Sequence, residues 1–445
     1  MSYNYKSNYL EYYTKRLEEL EDRMKKIKLK SKINKISLQT FKMFEPLIKK
    51  NITGYEKRLT KIPSVIWYLG NLCYVIERNC YFILEDEELI NSINDSNLYD
   101  IRKISISESY EKIFDSINII YECYNEIIDK LNLWIDNNKI LPFTIKIIDR
   151  VFFYNSFVNE RIFEAYKYSN VDFTTFYYLE ENNNEKNSEL TFKPIVGGVF
   201  NQGINQDNYF IEDNQSPSFK SKVESFYISD LLVTEKMYID FLDNNGYYLK
   251  QYWSKNGWEW KEKNKINNPL YWFKIGKNWY KKDKGKNIKI NISLNLPVTH
   301  VSFYEAMAYC SWIDGRLPTE KEWEYVATNR GTTPFPWGLG KPESFDLDKT
   351  KCLLGVKQLL GNVHQWCLDS YLPYDNFSPD KLNTSLFYNN FDGRKIVLKG
   401  GSFLTDNHFQ SPQYRFSAYP EDRHILTGFR VVREKNFNFS KDKIN

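Results

Sequence analysis

Between residues 8 and 168 the chain carries only five glycines or prolines, Pro46, Gly54, Pro63, Gly70 and Pro142. So few chain breakers over so long a stretch leave helix as the regular structure that fits. Apolar residues recur there at three-four spacing. Leu10, Tyr13, Leu17, Leu20 and Met24 mark one stripe, and Ile113, Ile117, Ile120, Tyr121, Tyr124 and Ile128 mark another. An up-and-down bundle of four or five helices over residues 1–168 is the expected result.

The texture then changes. From Val171 to Leu190 the sequence is polar, centred on an Asn- and Glu-rich run that opens at Glu180, and apolar periodicity lapses. This reads as a linker over 169–190. Beyond it, over 191–436, come short apolar runs, frequent glycine and clustered tryptophan, with 437–445 as a tail. Two helices can be placed there from capping boxes. Ser302-Phe-Tyr-Glu305 starts one that runs towards Trp312 and stops before Gly315, and Thr319-Glu-Lys-Glu322, directly after Pro318, starts the other.

A length of 445 residues suits two or three domains. Aromatic residues make up 17% of the chain, so planar side chains fill much of the interior, which suits irregular packing. The net charge is only +4, from 61 basic and 57 acidic residues. It reads as spread along the chain instead of gathered in one strip, so no nucleic-acid footprint or partner is expected. The longest near-apolar run, Ser64–Ile76, is interrupted by Gly70 and Asn71 and is shorter than the ~20 residues of a spanning helix, so no membrane partner is expected. Six cysteines form no CxxC pair and no signal peptide is evident at the start; the cytoplasm is the expected location.

Four segments carry a resemblance. Gly315-Arg-Leu-Pro-Thr-Glu-Lys-Glu-Trp-Glu-Tyr325 with Phe335-Pro-Trp-Gly338, then Gly361-Asn-Val-His-Gln-Trp366, Val397-Leu-Lys-Gly-Gly-Ser402 and Gly428-Phe-Arg430, resemble the formylglycine-generating-enzyme superfamily, in that family's order. The resemblance implies an irregular α+β domain of C-type-lectin-like shape. Asp213-Asn-Gln-Ser-Pro217, Trp253, Gly257-Trp-Glu-Trp260, Pro269-Leu-Tyr-Trp272, Ser370–Phe377 and Tyr419-Pro-Glu-Asp-Arg423 are similar to the sulfoxide synthases of ergothioneine biosynthesis. In that branch a DinB-like helical bundle precedes the domain, and the two share an active-site cleft.

The same resemblance implies metals for which this sequence lacks the usual ligands. The sulfoxide synthases hold iron with three bundle histidines, one in a Trp-His motif and two at i, i+4. The matching positions here are Tyr68, Asn155 and Asn159, and no histidine precedes His300. Amides and a phenol are poor substitutes for imidazole. The copper branch uses two cysteines after its Gly-Gly-Ser motif; Thr405 and Gln410 stand there, and no cysteine follows Cys367. A structural calcium site would fall at Gln358, Gly361, Val363 and Gln365, where Gln365 replaces the acidic ligand. No cofactor is expected, with iron and calcium disfavoured.

Candidate ligand-binding residues are Tyr68, Asn155, Asn159, Trp366, Arg415, Asp422 and Arg423, the last three suited to a zwitterion. Tyr371 and Tyr374 are the catalytic candidates, as proton donors in thiol oxidation; ordinary packing is the alternative for both. Trp253, Trp258, Trp260, Trp272 and Trp279 read either as packing or as faces for a quaternary ammonium. Glu305, Glu320 and Glu322 are explained by helix capping. The expected function is a diverged pseudoenzyme that binds a small zwitterionic or peptide ligand in the interdomain cleft. Two alternatives stand beside it: an oxygen-dependent oxidoreductase of thiol or C–S bond chemistry with a different metal site, and a lectin-like recognition protein varying its surface over Phe403–Thr427.

Overall fold

Four helices make up the described part of the N-terminal half in the computed structural model, which describes residues 3–50, 65–84, 99, 117–168, 189–205, 212–283, 286–290, 296–340, 352–379, 391–407 and 409–434. The chain divides into two compact units, Met1–Phe173 and Thr174–Asn445. Most of the expected linker, and the tail, lie outside the described residues.

The first unit contains α1 (Tyr3–Lys50), α2 (Val65–Leu84), α3 (Ile117–Asn137) and α4 (Pro142–Tyr168). α3 and α4 each pack against both α1 and α2. The α3 stripe is buried as its spacing predicts, through Ile117, Ile120, Tyr124 and Ile128. On α1 the expectation fails: Tyr13, Leu17, Leu20 and Met24 are all at least half exposed, and the residues that reach the core are Leu29, Ile33, Ile36, Met43 and Phe44. Three-four spacing identifies an apolar face of a helix but cannot say which length of that face finds a partner.

The second unit is built from small sheets and short helices. β1 (Phe192–Ile195) and β12 (Val432–Glu434) flank β4 (Phe226–Ser229), while β2 (Gly198–Gln202) pairs with β3 (Phe219–Val223). A meander joins β5 (Trp272–Ile275), β6 (Asn278–Asp283) and β7 (Lys286–Lys289). The fourth sheet runs β10 (Arg415–Ala418), β9 (Ile396–Lys399), β8 (His364–Ser370), β11 (Thr427–Gly428), its last pair parallel. Among the described residues, four α-helices complete the unit: α5 (Glu235–Asp243), α6 (Lys255–Lys263), α7 (Phe303–Trp312) and α8 (Glu320–Ala327). Both expected capping boxes are formed, at Ser302/Glu305 and Thr319/Glu322.

Large aromatic residues close this unit. Trp323 and Trp366 are fully buried, and Tyr238 meets Phe241, Tyr247, Trp272, Tyr309 and Phe429 through ring contacts. With so little regular structure, the interior depends on such rings and on buried polar pairs, and those pairs define the site.

Candidate functional site

In the bundle, the two asparagines of α4 face a hydroxyl of α1. Asn155 Nδ2 donates to Thr40 Oγ1 at 2.8 Å, and Asn159 Nδ2 reaches the same oxygen at 3.2 Å. Tyr124 of α3 donates from its hydroxyl to Asn155 Oδ1 at 3.1 Å. All four residues are buried, so the amides are satisfied by uncharged partners inside a low-dielectric core. Tyr68 is half-buried, its ring against Trp67. The α2 residue that brings a buried amide towards α4 is instead Asn71, which accepts from the Tyr154 hydroxyl and donates to Tyr99 O at 2.6 Å. Sequence reasoning passed over Asn71 as a mere interruption of an apolar run. A single amide in the middle of such a run was the available signal.

In the second unit, the Thr319 cap fixes the first turn of α8 and thereby aims Glu320 and Glu324 inward. Arg415 Nε donates to Glu320 Oε1 at 2.7 Å and its Nη2 to Oε2 at 3.1 Å. Lys399 Nζ donates to Glu324 Oε2 at 3.1 Å, and the Gly203 amide to Glu324 Oε1 at 2.7 Å. Burial on its own would raise both carboxyls. Arg415 and Lys399 outweigh it at Glu320, which is held below the usual range, whereas at Glu324 burial prevails and the carboxyl is pushed up.

Tyr371 and Tyr374 belong to this cluster. The Tyr374 hydroxyl donates to Glu320 Oε1 at 2.9 Å, and the Tyr371 hydroxyl accepts from Asn214 Nδ2 at 2.8 Å. The Arg415 guanidinium lies over both rings, 4.1 Å from the centre of Tyr374 and 5.0 Å from that of Tyr371. Its remaining donors go to Asn214 O and Leu372 O. Burial pushes both phenols well above their ordinary range, so neither gives up its proton readily. Glu320 therefore does more than cap a helix: it is the acceptor at the centre of this cluster.

Arg423 is separate from Arg415. Its Nε lies 3.0 Å from Glu305 Oε2 as an ion pair without hydrogen-bond alignment, and Tyr247 donates to Glu305 Oε1 at 2.6 Å. Asp422 accepts the Tyr419 amide at 2.9 Å and closes a turn. Trp366 donates to Val301 O at 2.9 Å.

The residues at the expected calcium position meet around one side-chain amide. Gln365 Nε2 donates to Gln358 O at 3.0 Å and Leu359 O at 2.8 Å, while its Oε1 accepts from Trp323 Nε1 and Arg430 Nε, each at 2.8 Å. Arg430 also donates to Ser229 O, Lys357 O and Gln358 O. Gly361 bonds Gly400 O, and Val363 packs with Leu232 and Leu426. At Gly400 (φ +91°) a Cβ would stand 2.5 Å from Leu359 O, which is why the loop approaches so closely only with glycine there. Carbonyls that already accept amide and guanidinium N–H groups have less to offer a divalent ion.

The tryptophan cluster is partly covered by the chain's own lysines. Lys261 Nζ is 4.6 Å from the Trp258 ring centre and 2.7 Å from Glu262 Oε1. Lys274 Nζ lies 5.1 Å from the Trp279 ring centre, and Trp272 is buried.

Residues 178–352 and 347–435 match the sulfatase-modifying factor enzyme 1-like domain. The chain belongs to that family. It is 28% identical over 244 residues to the hercynine oxygenase of Mycobacterium tuberculosis, covering 49% of this chain and 55% of that protein. It is 31% identical over 288 residues to the mouse formylglycine-generating enzyme, covering 54% of this chain and 74% of that protein. Among solved structures, PvdO from Pseudomonas aeruginosa aligns with a TM-score of 0.38 at 18% identity, over 56% of this chain and all of that one. The match thus spans about half the length of the hercynine oxygenase.

Within this family domain, the positions where the copper branch carries cysteines are taken by a different arrangement. Gln410 Nε2 donates to Ser402 O and Thr405 O, each at 2.7 Å, and Thr405 Oγ1 accepts the Ser402 amide at 3.0 Å. These bonds stitch the loop after β9 to itself. Among the described residues, no three His, Cys, Asp or Glu side chains converge in a way that could hold a metal ion, and none of the helices is long and apolar enough to cross a membrane.

Proposed function

We propose that this member of the sulfatase-modifying factor enzyme 1-like family is a diverged relative of the sulfoxide synthases that binds a small zwitterionic or peptide ligand and has given up the oxidation chemistry of the iron site. The observation that carries this reading is the Thr40, Tyr124, Asn155 and Asn159 network. At the positions matched to two imidazoles stand neutral amides, already engaged by a threonine and a tyrosine. Converting them into iron ligands would mean breaking those bonds for donors that iron binds poorly. The Gln410 and Thr405 stitching supports the same reading for copper, since no thiolate stands there. The residues present do not fit either metal.

Elemental analysis and oxygen uptake test this. The purified chain is expected to carry no stoichiometric iron or copper and to show no oxygen consumption driven by cysteine-type thiols. Mass spectrometry of the heat-released fraction should instead yield a small zwitterion or peptide. Close to one iron per chain with thiol-dependent oxygen uptake would overturn the proposal.

A further inference from the structure

The small net charge of the whole chain conceals a local concentration. Between Lys250 and Ile290 there are twelve lysines and three acidic residues, so the rest of the chain is net acidic. Much of this excess lies on the β5–β6–β7 meander, and the pairing sorts its side chains into two faces. Trp272 pairs with Lys281 and Lys274 with Trp279, on the face turned inward, where Lys274 is neutralised by Asp243 at 2.6 Å and Lys281 by Glu235 at 2.5 Å.

The opposite face is different. Phe273, Tyr280 and Lys289 form one row across the three strands, and by the same alternation Ile275, Asn278, Lys282 and Asn287 share their side. Phe273 and Tyr280 stack with ring centres 5.8 Å apart and planes 20° from parallel, and both are partly exposed. Lys282 and Lys289 on this face and Lys277 at the turn are exposed and make no ion pair among the described residues. At the β5–β6 turn, Gly276 has open space around it. An aromatic pair at the middle of the sheet, with exposed lysines beside it, combines a π surface with positive charge, the two features that recognise a single strand of nucleic acid.

We propose that this outward face of the meander binds single-stranded nucleic acid, with bases stacking on Phe273 and Tyr280 and phosphates held by Lys282 and Lys289 on that face and by Lys277 at the turn. The even spread of charge inferred from the whole-chain balance does not hold for residues 250–290. A strand with bases fits better than an anionic lipid surface: the aromatic rings sit in the middle of the sheet, and Ile275 is the exposed aliphatic residue on that face. An acidic peptide would satisfy the lysines but leave the rings without a planar partner.

The test uses the full chain and a fluorescein-labelled oligothymidylate of about ten nucleotides, read by fluorescence anisotropy. Saturable binding is expected, weakening steeply between ~50 and ~200 mM salt. The double variant Phe273→Ala, Tyr280→Ala should weaken binding about tenfold or more. Lys282→Glu with Lys289→Glu, which leaves the rings in place, should weaken it and flatten the salt dependence, with an unchanged melting temperature showing that the sheet is intact. No saturable binding at low salt would overturn the proposal. So would full binding by the aromatic double variant, or phosphatidylserine vesicles or inorganic polyphosphate binding as tightly as the oligonucleotide.

Discussion

Arg415 and Glu320 lie 95 positions apart and meet as a buried, two-pronged ion pair, with Nε and Nη2 on separate carboxylate oxygens. Through Glu320, Arg415 also holds Tyr374, and through its other donors it holds Asn214 and Leu372. The pair therefore ties α8 and β10 to the segments on either side of them. Arg415, a ligand-binding candidate from the sequence, and Tyr374, a catalytic candidate, here engage one another and Glu320.

Removing the cation should be far more damaging than removing both charges together. Arg415→Met leaves Glu320 buried without its main partner and is expected to cost about 3–5 kcal/mol. The double variant Arg415→Met, Glu320→Gln should recover a substantial part of that loss. Denaturant unfolding of the three proteins measures the difference, and equal losses in single and double variants would contradict the assignment.

Two carboxyls give the stability opposite dependences on pH. Burial, opposed by Lys130 and reinforced by Glu126, pushes Glu77 up to about 7. A carboxyl raised on folding binds its proton more tightly in the folded state, so stability falls as pH rises from the ordinary glutamate range through about 7. Glu320, held low, contributes stability that is present above the ordinary glutamate value and lost as pH falls through its folded value. Glu77→Gln should therefore match the parent in mild acid and exceed it above neutrality, as melting curves across that window will show.

Gln365→Glu tests the carbonyl cradle. The carboxylate would keep acceptors for Trp323 and Arg430 but lose the two N–H bonds to Gln358 O and Leu359 O. In chelator the variant should lose about 1–3 kcal/mol of stability. Millimolar calcium should restore part of that loss, because a carboxylate beside the freed Leu359 carbonyl is a better calcium site, while the parent protein should not respond. Thermal shift with and without calcium separates these outcomes.

Restoring imidazoles tests the reading of the bundle. Asn155→His and Asn159→His, combined with Tyr68→His in one protein and Asn71→His in another, should both raise ferrous affinity over the parent. The Asn71 version is expected to bind more tightly, because Asn71 is buried and bonded to Tyr154, the neighbour of Asn155. Iron titration decides, and absence of binding in both would detach α2 from the proposed site.

What the sequence determined by itself was set by short-range rules. The helical N-terminal half follows from the scarcity of breakers, and α7 and α8 begin at Ser302 and Thr319 because a capping box is complete within four residues. The four family segments are likewise local strings. Tertiary structure alone decided that α1 buries Leu29, Ile33, Ile36, Met43 and Phe44 and leaves Leu17 and Met24 in solvent, since the choice depends on where α3 and α4 end against it. It also decided that Glu320 belongs to Arg415, that Gln365 belongs to Trp323 and Arg430, and that Asn71 faces Tyr154. For these polar pairs a buried group must find a partner, and the partner is fixed by a chain segment 42 to 95 positions away, beyond the reach of any local pattern.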